Sequence, residues 1–168
     1  MEYISTRNTE KIFSFKDIFL KSLASDGGLF VPKEIPLYSS YELQKLQNLS
    51  YNELATEIIF KFCNDEFNKN EIKDLVNYSY ENFRVEDVVK VVKLEKISLL
   101  ELFHGPTLAF KDIAMQVIGN MYEKILKKNN LKINVVVATS GDTGAAAISA
   151  IRDRKNMKIF VLHPDNKI

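Results

Sequence analysis

Cysteine and histidine are scarce in this 168-residue chain, which has one cysteine and two histidines. The single cysteine, Cys63, cannot form an internal disulfide, and a chain without disulfides suits a reducing cytoplasm. Cys63 follows Phe62 late in a helical pattern, so we expect a structural role for it rather than a catalytic thiol. His104 and His163 are far apart with no cysteine near either, and we therefore expect no metal site.

Long apolar runs and an excess of one charge sign are also missing. No apolar run approaches the ~18 residues of a membrane helix, and residues 1–7 lack the apolar core of a signal peptide. The net charge of +1 gives no reason to expect nucleic acid or an anionic membrane surface as a partner. With 46% hydrophobic residues, the composition is typical of a soluble globular protein of one domain or two small ones. We expect it in the cytoplasm.

The first 95 residues predict a small, mostly helical domain. A helix is expected over residues 15–25, capped by Ser14 and ended by a Gly-Gly pair. A second helix follows the capping box of Ser50 and Glu53, and a third is expected to be capped by Asn70.

The pattern changes near Val88, and residues 96–168 are expected to form a second, partial α/β domain. Apolar and β-branched runs predict strands, and longer amphipathic stretches predict helices between them. In chain order these are strands over 88–92 and 97–103, a helix over 111–127, a strand over 133–138, a helix over 144–152 and a strand over 157–162. The strand over 133–138 is apolar throughout, as in a parallel sheet covered on both faces. The alternation from residue 97 onward predicts the start of a doubly wound parallel sheet, truncated at the end of the chain.

Lys111 lies where the strand over 97–103 has ended and the next helix begins. The positive end of a helix macrodipole disfavours a cation, and the flanking stretches 108–110 and 113–115 are apolar. These two effects would lower the pKa of the amine, as a nucleophile or Schiff-base former requires. The alternative is a surface lysine that snorkels from the helix start, which is the usual state of lysines.

A second polar stretch, Thr-Ser-Gly-Asp-Thr-Gly at 139–144, joins the strand over 133–138 to the following helix. The backbone N–H groups of such a turn suit a carboxylate or phosphate, and ligands of open α/β sheets bind beyond the carboxyl ends of strands. An ordinary capped turn is the alternative, and the stretch matches neither the Walker nor the dinucleotide pattern. An amine at one strand end and an anion-binding loop at another fit a pyridoxal-phosphate enzyme that acts on an amino acid.

Four short motifs follow one another along the chain. They are Tyr-Ile-Ser-Thr-Arg at 3–7, Asp-Gly-Gly-Leu-Phe-Val-Pro at 26–32, His-Gly-Pro-Thr-Leu-Ala-Phe-Lys-Asp within 102–112, and Ser-Gly-Asp-Thr-Gly at 140–144. Their order and spacing resemble the threonine synthase family of fold-type II pyridoxal-phosphate (PLP) enzymes, whose core is a doubly wound sheet of the tryptophan synthase β type. The His-Gly-Pro run is the most specific of the four. Asp142 occupies a position where other fold-type II enzymes often have Asn, and Asp at this position is typical of threonine synthases.

The resemblance implies a reaction and a set of site residues. Lys111 would hold PLP through a Schiff base and, once released by substrate, move protons. The reaction would be that of a carbon–oxygen lyase acting on a phosphate ester: O-phospho-L-homoserine and water would give L-threonine and phosphate. Phe110 would shape the cofactor pocket unless it packs in the core, and Asp142 would lie near the cofactor ring. The substrate-binding residues would be Ser5, Thr6, Arg7, Ser140, Gly141, Asp142 and Thr143, with Arg7 a candidate phosphate ligand.

Length is the departure from the family, whose members are much longer. The resemblance therefore implies that the loop for the cofactor phosphate lies beyond Ile168 and that the chain is a fragment, inactive without the missing C-terminal part. Two alternatives stay open. One is another fold-type II lyase, either a threonine-synthase-like phospho-lyase or a relative of cysteine synthase, although Asp142 and the motif at 3–7 disfavour the latter. The other is a non-catalytic fragment that binds a partner through its open sheet.

Overall fold

A computed structural model of the chain describes residues 1–165, so positions 166–168 of the second predicted domain lie outside the description. In chain order the elements are β1 (Tyr3–Ser5), β2 (Asn8–Phe13), α1 (Phe15–Lys21), β3 (Phe30–Pro32), α2 (Ser40–Leu46), α3 (Tyr51–Cys63), α4 (Lys69–Tyr80), β4 (Lys90–Lys93), β5 (Ser98–Glu101), α5 (Asp112–Lys128), β6 (Ile133–Ala138), α6 (Asp142–Ile151) and β7 (Met157–Leu162). The predicted α/β class is confirmed. The chain forms two compact units, Met1–Val76 and Asn77–Ile168, whereas the domain limits 1–95 and 96–168 stay a prediction.

The first unit contains a three-stranded antiparallel sheet that the sequence patterns did not predict. β1 lies in its centre and pairs with β2 and β3. β1 and β3 have three residues each, and β2 is exposed apart from its last residue, Phe13. None of them is long or regular enough to show the alternation of a half-buried strand. The prediction of a mostly helical domain therefore omitted a sheet.

Capping boxes begin α1, α2 and α3. In each, a serine hydroxyl accepts from the backbone N–H three residues on, and the acidic side chain there accepts from the backbone N–H of the serine. The three serines are Ser14, Ser39 and Ser50. The caps predicted at Ser14 and Ser50 are thus confirmed. The cap of α4 is Asn68, whose side chain accepts from the backbone N–H of Glu71, so the prediction of Asn70 was wrong.

Cys63 belongs to the core of the first unit. It has no exposed surface, and its Sγ donates to the carbonyl oxygen of Ile59 at 3.2 Å. Burial raises the pKa of this thiol to about 12, which opposes formation of a reactive thiolate. Its surroundings suit the structural role expected from the sequence. The other buried apolar members of this core include Tyr3, Phe13, Phe15, Phe67, Ile72, Leu75 and Val76.

In the second unit, β4 and β5 form an antiparallel hairpin, with Val91 opposite Leu100. The backbone N–H of Leu94 donates to the carbonyl oxygen of Ile97 at 2.8 Å and closes the turn between them. The prediction that the strand over 97–103 begins the parallel sheet is therefore wrong within the described residues. A tight turn suits an antiparallel neighbour, whereas a parallel neighbour needs a long crossover.

β6 and β7 are parallel neighbours, with Ile133 opposite Met157 and α6 as the crossover between them. This confirms the strand–helix–strand order predicted from residue 133 onward. Side chains along β6 alternate between half-buried and exposed, and Val136 and Phe160 are 64% and 52% exposed. One face of the pair thus stays open in residues 1–165, and the expectation of two covered faces was wrong there.

α5 and α6 touch at Gly119. A Cβ atom at this position would lie 2.6 Å from the carbonyl oxygen of Ala150, so the two backbones are in direct contact. Beside it, Nδ2 of Asn120 donates to Oγ of Ser79 at 2.8 Å, and Oδ1 accepts from Arg154 at 2.7 Å. These bonds satisfy an amide that is 8% exposed. The apolar side chains buried around this contact include Val117, Met121, Ile125, Leu126, Ala146 and Ala147.

The longest helix, α5, has 17 residues and ends with Lys127 and Lys128. Across residues 1–165, no helix combines the length and apolar character needed to cross a membrane. In the same part of the chain, no three His, Cys, Asp or Glu side chains gather in a way that could hold a metal ion.

Replacing Gly119 with Ala should destabilise the second unit. Alanine raises helix propensity by about 1 kcal/mol over glycine, but its Cβ would press on the Ala150 carbonyl, and overpacking of this kind costs about 1–3 kcal/mol. Urea unfolding of the chain measures the difference. Gly141→Ala is the matched control, because a Cβ there would meet nothing within 4 Å. A Gly119→Ala variant as stable as the wild type, or more stable, would contradict the close contact.

Candidate active site

The loop from residue 104 to the start of α5 places Lys111 at the N-cap position of that helix. The backbone N–H of Leu108 donates to the Gly105 carbonyl at 3.2 Å, and the N–H of Asp112 donates to the Ala109 carbonyl at 3.0 Å. Leu108 has a φ of 63°, a left-handed conformation that costs a non-glycine residue about 1–2 kcal/mol. The loop is therefore a specific structure with local strain, not a simple break between strand and helix.

Lys111 and Asp142 form an ion pair that joins this loop to the start of α6. Nζ of Lys111 donates to Oδ2 of Asp142 at 2.7 Å. The same Nζ lies 4.4 Å from the ring centroid of Phe110, a cation–π contact. The Phe110 side chain is 57% exposed, so the alternative that it packs in the core was wrong.

Lys111 lies beside a carboxylate and not in a wholly apolar setting. Its side chain is 27% exposed, and the partner carboxylate of Asp142 is 53% exposed. The sequence had predicted an amine in an apolar setting, and that expectation was wrong because a carboxylate from a distant loop reaches it. The pair in turn lowers the pKa of Asp142, first through the hydrogen bond from Lys111 and then through its charge, with help from the Thr143 backbone N–H.

Thr139 holds the loop between β6 and α6. Its Oγ1 accepts from the backbone N–H of Gly141 at 3.2 Å and from that of Gly144 at 3.3 Å. A Cβ at Gly144 would lie 2.3 Å from the Thr139 methyl carbon, so this packing needs glycine. A Cβ at Gly141 would meet nothing within 4 Å. The loop is therefore closed on the Thr139 side and open at Gly141. Thr139 belongs to the motif at 139–144, but nothing in the sequence distinguishes it from the common threonine before a turn.

The four predicted substrate residues of this loop lie together at the start of α6. Ser140, Gly141 and Asp142 are exposed, and Thr143 is half-buried. Backbone N–H groups at a helix N-terminus favour an anion, whereas a free Asp142 carboxylate would repel one. The ammonium of Lys111 offsets that charge in the ion pair.

In the first unit, hydrogen bonds join the Tyr-Ile-Ser-Thr-Arg and Asp-Gly-Gly-Leu motifs. Oγ of Ser5 donates to Oδ1 of Asp26 at 2.9 Å, and the backbone N–H of Gly28 donates to the same oxygen at 2.8 Å. Thr6 and Leu29 exchange two bonds: the Thr6 N–H donates to the Leu29 carbonyl at 2.8 Å, and the Leu29 N–H donates to Oγ1 of Thr6 at 3.0 Å. Two stretches that are separate in sequence therefore form one turn.

Arg7 extends from this turn into solvent. Its Nη1 donates to the Asp26 carbonyl at 3.2 Å, and its backbone N–H donates to Oγ of Ser5 at 3.2 Å. Ser5 is 1% exposed, so its hydroxyl serves the turn, whereas Thr6 and Arg7 are exposed. Asp26, which the sequence did not single out, organises the cluster. The bond from the Gly28 N–H, ahead of that from Ser5, lowers the pKa of Asp26. An Asp before a Gly-Gly pair was the available signal.

The predicted site residues thus fall into two groups. Within the second unit, Lys111 contacts both Phe110 and Asp142, and Asp142 adjoins Ser140, Gly141 and Thr143 in the chain. Within the first unit, Ser5, Thr6 and Arg7 adjoin one another around Asp26. Their roles in binding cofactor or substrate remain predictions.

Comparison with known proteins gives a consistent result. The profile of the family described as "Threonine synthase N terminus" matches residues 2–80. The chain is 41% identical to threonine synthase of Schizosaccharomyces pombe, over 100% of this chain and 35% of that protein. It is 37% identical to threonine synthase-like 2 of Xenopus laevis, over 99% of this chain and 36% of that protein.

A solved structure agrees with these relatives. The crystal structure of PLP-bound threonine synthase from Brucella melitensis matches with a TM-score of 0.94 and 39% identity, over 100% of this chain and 36% of that one. The chain thus spans little more than a third of the length of the proteins it matches. The matches run through the loops that hold Lys111 and Asp142 as well as through the first 80 residues. The chain therefore belongs to the threonine synthase family and corresponds to its N-terminal portion.

Proposed function

We propose that this chain is the amine-bearing N-terminal portion of a PLP-dependent threonine synthase. The complete protein would convert O-phospho-L-homoserine and water to L-threonine and phosphate. The observation that carries the proposal is the 2.7 Å contact between Nζ of Lys111 and Oδ2 of Asp142, because it brings the lysine motif and the Ser-Gly-Asp-Thr-Gly motif to one place. The relative from Brucella melitensis, described as PLP-bound, supports PLP as the cofactor.

The residues around Lys111 fit PLP in their chemistry. Lys111 offers a primary amine that is 27% exposed, and the exposed ring of Phe110 offers a flat apolar surface beside it. The loop is open at Gly141. When bound, PLP supplies an electron sink for carbanions of an amino-acid substrate. The loop for its phosphate group would come from the rest of the family fold.

Lys111 would have two tasks at one atom. Nζ would hold the cofactor at its aldehyde carbon, and the same amine, when free, would accept and return protons. The first task needs a neutral amine, so the ammonium must lose a proton. Nζ donates a hydrogen bond to Oδ2 of Asp142 at 2.7 Å, and the Asp142 side chain is 53% exposed, so the proton to be lost lies beside water.

The loop after β6 would bind the substrate carboxylate. Ser140 and Thr143 offer hydroxyl groups and Gly141 leaves open space, next to the N–H groups at the start of α6. In the first unit, the exposed Thr6 and Arg7 would bind substrate, and a guanidinium is well suited to a phosphate group. Because Ser5 is buried, we propose that its hydroxyl holds the backbone N–H of Arg7 in place within the turn that they share.

We also propose that β6, α6 and β7 begin a doubly wound parallel sheet that the C-terminal part of the family fold completes. The open apolar face supports this, since Val136, Phe160 and Leu162 are each more than half exposed, and parallel sheets are covered on both faces. The 168-residue chain would then be inactive alone. The complete protein would act in the cytoplasm, without nucleic-acid or membrane partners.

A second candidate is a threonine-synthase-like lyase with another substrate. Identity to threonine synthase-like 2 of Xenopus laevis is 37%, close to the 41% identity to the Schizosaccharomyces pombe enzyme. The contact between Lys111 and Asp142 concerns the amine and does not select between substrates. Turnover of O-phospho-L-homoserine therefore separates the two candidates.

Reaction with PLP tests the role of Lys111. After the chain, joined to the C-terminal two thirds of the Schizosaccharomyces pombe enzyme, has been incubated with PLP and reduced with borohydride, we expect peptide mass spectrometry to find the adduct on Lys111. Lys111→Ala should remove it, whereas Lys127→Ala, which changes an exposed lysine of the same helix, should leave it in place. Adducts spread over surface lysines with none at Lys111 would rule out this assignment.

Turnover tests the reaction and the fragment hypothesis together. Joined to the C-terminal two thirds of the Schizosaccharomyces pombe enzyme, the chain should form threonine from O-phospho-L-homoserine, and Lys111→Ala should abolish this activity. The 168-residue chain alone should form none. Threonine from the chain alone would disprove the need for a C-terminal part, and a well-folded, PLP-loaded fusion without turnover would favour the second candidate.

Titration of Asp142 tests the ion pair without any cofactor. Because pairing lowers the pKa of Asp142 from its ordinary 3.8, the pair stabilises the fold above that pH. Its contribution is lost as the pH falls through the lowered pKa. Carboxyl NMR should give a midpoint below 3.8 in the wild type and a higher one in Lys111→Met. The same midpoint in both proteins would mean that the pair does not form in solution.

A further inference from the structure

Asp112 is a carboxylate with no exposed surface, one residue after Lys111. Its Oδ2 accepts from the backbone N–H of Thr107 at 2.7 Å, and its Oδ1 accepts from the Thr107 hydroxyl at 2.8 Å. A fully buried carboxylate is rare, and its burial is costly unless hydrogen bonds compensate. Here one residue satisfies both oxygens, so the side chain serves to close the loop that carries Lys111.

The loop is shaped around this carboxylate. A Cβ at Gly105 would lie 2.4 Å from the Cβ of Asp112 and 2.5 Å from its Oδ2, so glycine allows the backbone to approach the side chain. Ala109, on the way to Lys111, is 8% exposed. Asp112 is also the first residue of α5, where the helix dipole stabilises a negative charge.

The closed loop sets the backbone of Lys111. Leu108, inside the loop, has a φ of 63° and is 51% exposed. Its side chain is thus only half covered, and hydrogen bonds across the loop span this residue on both sides. Lys111 has helical backbone angles at the N-cap and makes no side-chain capping bond, although Ser, Thr, Asp or Asn usually fills this position. The direction of its side chain thus depends on the closure between Thr107 and Asp112.

We propose that Asp112 is a positioning residue for the Lys111 amine: by closing the loop on Thr107, it directs Nζ to Oδ2 of Asp142. The inference rests on the proposed function only in taking Lys111 as the reacting amine. The competing explanation is purely structural, namely that Asp112 stabilises the start of α5. In that case, its replacement would weaken the fold without changing the contact between Lys111 and Asp142 in the folded protein.

Three variants of the 168-residue chain separate these explanations. Asp112→Asn keeps the shape of the side chain but replaces one acceptor with a donor. Thr107→Val removes the hydroxyl bond and keeps the backbone bond, and Thr107→Ser is the conservative control that retains both. For each, amide NMR reports whether the chain is folded, carboxyl NMR gives the titration midpoint of Asp142, and borohydride trapping gives the rate at which PLP labels Lys111.

We expect the titration midpoint of Asp142 in Asp112→Asn to shift towards the midpoint in Lys111→Met. In Thr107→Val the midpoint should shift in the same direction but by less. In Thr107→Ser it should equal that of the wild type. The labelling rate of Lys111 should fall about tenfold in Asp112→Asn, within the ~100-fold that a 1 Å misplacement can cost. Wild-type midpoints in folded Asp112→Asn and Thr107→Val would overturn the proposal. If Asp112→Asn does not fold, the midpoint of Thr107→Val decides alone.

The two proposals fail in different ways. If PLP does not label Lys111 in the wild-type chain joined to the C-terminal part, the proposed function fails, and the Asp142 midpoints of the 168-residue chain still test the positioning role. If PLP labels Lys111 equally fast in the wild type and in folded Asp112→Asn, with equal midpoints, the proposed function stands and the positioning role is refuted.

Discussion

The contact between Lys111 and Asp142 is the interaction on which the candidate site depends, and it exists because two helices start side by side. Along α5 and α6, Nζ of Lys111 meets Oδ2 of Asp142 at 2.7 Å, Nε2 of Gln116 donates to Oγ of Ser149 at 3.2 Å, and Gly119 lies against the backbone of Ala150. These contacts follow the same order along both helices. A change that separates the helices would therefore also separate the amine from the carboxylate.

Charge balance explains why two carboxylates accompany this lysine. The starts of α5 and α6 both present the positive end of a helix dipole, and Lys111 adds a cation at the same place. The buried carboxylate of Asp112 offsets the positive end of the α5 dipole. The exposed carboxylate of Asp142 offsets the charge of the Lys111 amine.

Sequence periodicity predicted the elements whose signal is local. α5, β6, α6 and β7 lie within a few residues of their predicted limits, because each has a long apolar stripe or run. The sequence did not predict β1 and β2, because they are short or exposed. It also wrongly assigned β5 to the parallel sheet, since an apolar run does not identify the strand with which it pairs. The surroundings of Lys111 were also missed. Its neighbours in sequence are apolar, but the carboxylate that contacts its amine, Asp142, comes from another loop.

The two loops of the candidate site differ from the neighbouring strands, β6 and β7, in the interactions that stabilise them. Bonds between Thr107 and Asp112, and from Gly141 and Gly144 to Thr139, close each loop within a few residues of the chain. The open face of β6 and β7 has no such local solution, because only another layer can cover a sheet face. The geometry of the amine and its carboxylate is therefore encoded in this N-terminal portion of the family.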